Sequence, residues 1–178
     1  SGCIQGPNDP ILKPAAANKM DYEVEVAIVI SKKGKNISED KAQDHVFGYC
    51  IVNDVSERSW QKERGGQWIK GKSIAGPCGP YLVTKDEIKD INNLNLSLNV
   101  NGERRQTGNT ERMIFNFNFL ISHISQFMTL YPGTIITTGT PAGTAMEMDV
   151  PKFLQPGDKL SLKVDQLGEQ NHIVEEGD

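Results

Sequence analysis

Apolar and polar positions alternate and then fuse in the stretch DYEVEVAIVI, Asp21 to Ile30. Val, Ile and Tyr dominate it, so the pattern predicts a strand over 22–31. A Lys/Gly turn follows at 32–36. SEDKAQDHVF then predicts a short helix, with Ser38 as cap and Glu39 and Asp40 in the first turn. A second strand is expected from Gly48 to about Val55. The stretch 56–80, SERSWQKERGGQWIKGKSIAGPCGP, is polar, glycine-rich and irregular, and reads as a site-lining loop. YLVT and LNLSLNV are strands, the second running into Asn101-Gly102, a strong hairpin signal. NFNFLISHISQFM carries the one convincing helix, with Phe117, Leu120, Ile121, Ile124, Phe127 and Met128 at helical spacing. TIITTGTPAG predicts a strand entering a glycine loop, and KLSLKV and HIVEE alternate again. Residues 1–19, rich in Gly, Pro, Asn and Ala, read as an extended lead-in before a single domain over 20–178. The expected class is α+β, mainly β, with one or two short helices.

Composition narrows the partners. The 178 residues suffice for one core, and a net charge of −4 without a basic block gives no reason to expect nucleic acid or an anionic membrane. No apolar run approaches the roughly 20 residues that cross a bilayer. Cys3, Cys50 and Cys78 are odd in number and widely spaced, matching neither a disulfide framework nor a zinc site. A reducing, cytoplasmic setting is expected. The opening SGCIQGPNDPILKP lacks an initiator Met and the order of a signal peptide, and reads as the interior of a longer chain.

Candidate chemistry begins with Glu23 and Glu25. In a strand they share a face, roughly 7 Å apart along the chain. The plain alternative is a solvated pair on an exposed face. Ala27 and Val29 continue that face, however, and sheltered like charges require a proton or a cation between them. Mg²⁺ and Mn²⁺ prefer a few carboxylates with water or substrate completing an octahedron. Asp54, where an apolar strand meets a polar loop, is the candidate third ligand; alone, such a residue is more often a turn or cap. TGTPAG resembles a phosphate cradle only weakly, and its plain reading is a turn needing Gly139 and Gly143. His45, His123 and His172 are scattered, with His123 packed or exposed beside the long helix.

Taken together and in order, YEVEVAIVI, GYCIVNDVSER, KGKS, NGERRQTGNTERMIF and TTGTPAG resemble the C-terminal catalytic domain of the fumarylacetoacetate hydrolase family. Within it, SGCIQGPNDPI and NDVSERSWQKERGGQWIKGKS are most similar to the branch of ureidoglycolate lyases and 2,4-diketo-3-deoxy sugar-acid hydrolases. The resemblance implies a mixed β-sheet roll, a homodimer, and Mg²⁺ or Mn²⁺ held by Glu23, Glu25 and Asp54, with Ca²⁺ able to replace it in crystals. It implies a catalytic role for Lys72, and substrate contacts from Thr138, Gly139, Arg58 and Gln61. For Lys72 the plain alternative is a solvated loop lysine, and for Arg58 and Gln61 a structural role. The implied substrate is a 2-keto acid whose chelating head binds the metal. The implied reaction is hydrolysis of a C–C bond in an acylpyruvate or diketo-deoxy sugar acid through a metal-stabilised pyruvate enolate. Ureidoglycolate lyase or oxaloacetate decarboxylase activity are alternatives on the same site, and a non-catalytic binding domain is an alternative of another class. In similar hydrolases a His-Glu pair on an upstream lid activates water. No H-x-x-E precedes Glu23, so a missing upstream portion is expected, with metal binding retained and hydrolysis poor.

Overall fold

The strand predicted at 22–31 lies at the centre of the computed structural model, which describes residues 2–63 and 74–177. In chain order the strands are β1 (Ile4–Gln5), β2 (Ile11–Lys13), β3 (Met20–Asp21), β4 (Val24–Ile30), β5 (Val46–Asn53), β6 (Ser56–Glu57), β7 (Gly76–Thr84), β8 (Asn95–Val100), β9 (Glu103–Asn109), β10 (Ile135–Thr137), β11 (Lys159–Val164) and β12 (Gly168–Glu176). The α-helices are α1 (Arg58–Glu63) and α2 (Phe117–Phe127). One sheet has the order β1-β7-β5-β4-β10, a second β2-β12-β11-β8-β9, and β3 and β6 form a small ribbon. Both sheets are mixed: β1 runs parallel to β7 and β2 parallel to β12, while the other pairs are antiparallel. This is the mainly β fold that the pattern predicts.

β4 is buried on both faces, which explains why its alternation fuses into a continuous apolar run. Val24, Val26, Ile28 and Ile30 enter the main core with Leu96 and Leu98 of β8 and Leu160 and Leu162 of β11. Ala27 and Val29, on the opposite face, join Cys50 and Val52 of β5 in a smaller apolar layer, against which Cys78 and Ile135 pack.

Several expectations shift. The extended lead-in contributes β1 at the edge of the first sheet and β2 at the edge of the second. The 38–47 helix is a 3-10 helix over Glu39–His45 without a side-chain cap from Ser38. Residues 76–80, read as loop, are the start of β7; Gly and Pro there carry no strand propensity, but β1 and β5 supply backbone partners on both sides. Arg58–Glu63, also read as irregular, is α1. Glu57 starts it, accepting from Ser59 N at 2.9 Å and Lys19 N at 2.7 Å.

The hairpin signal is met, with Asn101 and Gly102 at φ 52° and 80° joining β8 to β9. α2 is capped by Asn116, whose side chain accepts from Phe119 N at 2.8 Å. It buries Phe117, Ile121 and Ser125, yet Phe127 and Met128 are exposed, against the predicted apolar face. Phe127 lies about 80° off the Phe117 line at 100° per residue, and Met128 is already in extended backbone. Phe127 instead ends an exposed ring ladder, Phe115–Phe119–His123–Phe127, with successive centroids 4.5, 5.6 and 5.1 Å apart.

The glycine loop after β10 needs its glycines for different reasons. Gly139 and Gly143 both have positive φ, 91° and 107°, but a Cβ on Gly143 would stand 2.1 Å from the Arg105 carbonyl oxygen, whereas Gly139 has open space. Gly139→Ala should therefore cost about 1–3 kcal/mol in backbone strain, and Gly143→Ala clearly more. Urea unfolding of the two variants measures this; equal costs would contradict the close approach.

Candidate metal centre

The pairing of β4 with β5 gathers the acidic residues. Val24 lies opposite Asn53 and Glu25 opposite Val52, so Asp54, just past β5, comes beside Glu23, just ahead of β4. Asp54 N donates to Glu23 O at 2.9 Å, and Glu23 N donates to Asn53 Oδ1 at 3.1 Å. One carboxylate oxygen from each of Glu23, Glu25 and Asp54 lies within 4.8 Å of the others. Glu23 and Glu25 are 5% and 2% exposed, so their repulsion is weakly screened by solvent.

A buried ion-pair cluster braces one side. Arg58, first in α1, donates from Nε to Asp21 Oδ2 at 2.9 Å, from Nη2 to Glu23 Oε1 at 2.7 Å and from Nη1 to Gln61 Oε1 at 3.1 Å. Burial pulls the guanidinium pKa down, but the charges of Glu23 and Asp21 outweigh it and hold the pKa above its ordinary value. Asp21, fully buried, also accepts from the backbone N–H groups of Tyr22, Ala145 and Met146. Tyr22 donates its hydroxyl to Gly143 O at 3.2 Å, and burial, with Asp21 nearby, pushes its pKa up to about 12, keeping it a neutral donor.

The loop after β10 braces the other side. Gly139 N donates to Glu25 Oε2 at 2.7 Å. The hydroxyls of Thr138 and Thr140 donate to Val26 O and Val24 O at 2.7 and 2.9 Å, sewing the loop onto β4. Buried Gln106 of β9 accepts from Val24 N and donates to Thr140 Oγ1 and Pro141 O.

Two clefts adjoin this region. A cleft of about 200 Å³ holds Asp54 together with Thr137, Val52, Ile135 and Cys78. A larger one of about 480 Å³ is bounded by the same loop, with Met113, Phe115 and Leu120, and none of the three carboxylates lines it. The smaller cleft is therefore the one joined to the acidic cluster.

Of the candidate residues, Glu23, Glu25 and Asp54 come together, Arg58 bonds Glu23 and Gln61, and Gly139 bonds Glu25. Thr138 directs its hydroxyl at the backbone of β4. Lys72 lies outside the described residues. Sequence reasoning missed Asp21, Gln106 and Thr137. Asp21 carried a signal, since it continues the parity of Glu23 and Glu25 in DYEVE; Gln106 and Thr137 carried none. Three buried or half-buried oxygen donors this close fit a hard divalent cation, with ligand positions left for water or substrate.

The model of the fumarylacetoacetate (FAA) hydrolase C-terminal family matches residues 2–175. A Burkholderia cenocepacia protein named as a hydrolase is 52% identical over 170 residues, 94% of this chain and 60% of the relative. The chain thus spans about 60% of the length of the curated relatives it matches. The solved structure of a fumarylacetoacetate hydrolase from Exiguobacterium antarcticum superposes with a TM-score of 0.93 at 38% identity, covering 99% of this chain and 64% of that one. Maleylpyruvate hydrolase from Sphingobium sp. SYK-6, in complex with manganese(II) and pyruvate, gives 0.87 at 31% identity, covering 99% and 62%. A 5-carboxymethyl-2-hydroxymuconate delta-isomerase from Mycobacterium smegmatis gives 0.89 at 35%, covering 99% and 67%.

The Arg58 cluster makes a prediction that separates charge from orientation. Arg58→Lys keeps the charge but loses the fork, and should weaken Mn²⁺ binding about 10–100-fold by calorimetry. Arg58→Met strands Asp21 and should destabilise the protein by about 3–5 kcal/mol in urea. Wild-type affinity in the Lys variant would show that the fork does not position Glu23.

Proposed function

We propose that this chain, which belongs to the fumarylacetoacetate hydrolase family, is the metal-binding part of a divalent-metal-dependent enzyme that hydrolyses a C–C bond in a 2,4-diketo acid. The observation that carries this reading is the convergence of Glu23, Glu25 and Asp54 within 4.8 Å at one end of the first sheet. Support comes from the similar maleylpyruvate hydrolase solved with manganese and pyruvate. When bound, Mg²⁺ or Mn²⁺ supplies Lewis-acid stabilisation of the negative charge that forms on the pyruvate-like half as the bond breaks.

The chain's own residues hold that arrangement in place. Arg58 fixes one oxygen of Glu23 and the Gly139 N–H fixes one oxygen of Glu25, so neither carboxylate has to reorganise during the reaction. The cleft beside Asp54 receives the 2-keto acid, and Thr137 at its wall is the hydroxyl placed to orient it. Thr138 and Gly139 are proposed to contact the substrate from the loop that their bonds to Val26 O and Glu25 Oε2 hold against β4. Lys72 keeps the role of a cationic donor to the developing oxyanion.

Water activation falls to a group outside this cluster. His45 bonds Lys32 O, His123 stacks on Phe119 and meets Phe127 edge-on, and His172 is held by Asp9 O and Gln170 Oε1. A second reading, isomerisation of a related 2-keto diacid, is favoured by the similar delta-isomerase. It uses the same chelating head without an attacking water. A cytoplasmic setting is proposed as well, in keeping with the three free thiols; no helix among the described residues is long and apolar enough to cross a membrane.

A homodimer is part of the proposal. The ring ladder on α2 and the neighbouring Ile114, 91% exposed, form an apolar surface that a second copy would cover. Sedimentation velocity should find a dimer for the wild type and a shift to monomer for Phe127→Asp. A wild-type monomer would remove this element.

Activity is tested on an acylpyruvate with Mn²⁺, following products by NMR. Pyruvate and the free acid should appear slowly, since the water-activating group lies outside this cluster, and Glu25→Gln should lower kcat/KM about 100- to 1,000-fold further, the equivalent of several kcal/mol of lost metal assistance. A shifted double bond without pyruvate would select the isomerase reading. Turnover indifferent to chelator and to Glu25→Gln would overturn the metal site.

A further inference from the structure

The small apolar layer behind the cleft contains two thiols. Cys50 of β5 and Cys78 of β7 lie on the same face of the first sheet, and their Sγ atoms are 3.4 Å apart. Both cysteines are unbridged. The approach needed to reach the roughly 2.05 Å of an S–S bond is within side-chain movement, because the two strands are already neighbours with Val52 opposite Cys78. Access is one-sided. Cys50 is 3% exposed, whereas Cys78 is half-buried and lines the 200 Å³ cleft that also holds Asp54.

We propose that Cys50 and Cys78 form a peroxide-sensitive dithiol, in which Cys78 is attacked through the cleft and Cys50 resolves it to an intramolecular disulfide. The oxidant is a hydroperoxide small enough for the cleft. The Cys78 thiolate attacks the terminal peroxide oxygen; an S–O bond forms, the O–O bond breaks, and hydroxide (from hydrogen peroxide) or alkoxide (from an organic hydroperoxide) leaves and takes up a proton. The Cys50 sulfur, giving up its proton, then attacks Cys78; the S–S bond forms, the S–O bond breaks, and water leaves. Two thiols lose two electrons, and one peroxide becomes two waters, or one water and one alcohol.

The local electrostatics agree with this division of labour. The hydrogen bond between Cys50 and Cys78, together with burial, pushes the Cys50 thiol up, while the same bond lowers Cys78 to about 7. The thiolate fraction therefore resides on the sulfur that faces the cleft. Cys3 lines the same cleft, so it is the competing partner that the experiment must separate. The disulfide would tie β5 to β7 four residues before Asp54.

The test treats purified, fully reduced protein with hydrogen peroxide, then maps peptides by mass spectrometry. The expected product is lighter by two hydrogens and links the Cys50 and Cys78 peptides, in the wild type and in Cys3→Ser alike. Cys78→Ser should abolish it and leave Cys50 reduced. Cys50→Ser should leave a sulfenic acid on Cys78 that dimedone captures. A link through Cys3, dimedone labelling of Cys50, or thiols unchanged by peroxide that oxidises free glutathione would each overturn the proposal. Circular dichroism of both Ser variants confirms that they are folded, so a missing product reflects the missing sulfur.

Discussion

Three carboxylates held within 4.8 Å of one another, two of them nearly out of contact with solvent, repel, and much of the surrounding structure can be understood as what holds them there. Arg58 takes part of that charge and is itself pinned by Asp21, which in turn is satisfied by three backbone N–H groups. The Gly139 N–H takes a further share at Glu25. Removing one member of such a cluster exposes the desolvation cost of the others.

The fold supplies those groups through a sheet in which β4 is buried on both faces. β4 uses its larger side chains to anchor the main core and its smaller ones, Ala27 and Val29, to line the outer layer. The acidic residues sit where that outer layer ends, so an apolar floor runs directly into the ligand oxygens. The same layer brings Cys78 to the wall of the cleft with Cys50 buried behind it.

Family membership and the geometry of the cluster point to the same chemistry from independent directions. The similar solved structures include hydrolases and an isomerase by name, and the acidic cluster of this chain fits a divalent cation such as the manganese in one of them. Arg58 and the Gly139 N–H each hold one oxygen of Glu23 and Glu25 in place.

Periodicity along the chain determined the identity of β4, the β8–β9 hairpin and α2, and the shared parity of Glu23 and Glu25, because each depends on neighbours within a few residues. The same parity contained Asp21, which went unread because a short break separates β3 from β4. What only the tertiary structure decided depends on register between segments far apart in sequence. The Gly-Pro start of β7 is a strand because β1 and β5 supply its partners, and Arg58 faces Glu23 because β6 pairs with β3. Cys50 meets Cys78 across two strands, and the apolar residues of α2 divide between a buried side and an exposed ring ladder. Local alternation says which way a side chain points, and only strand pairing says what it meets there.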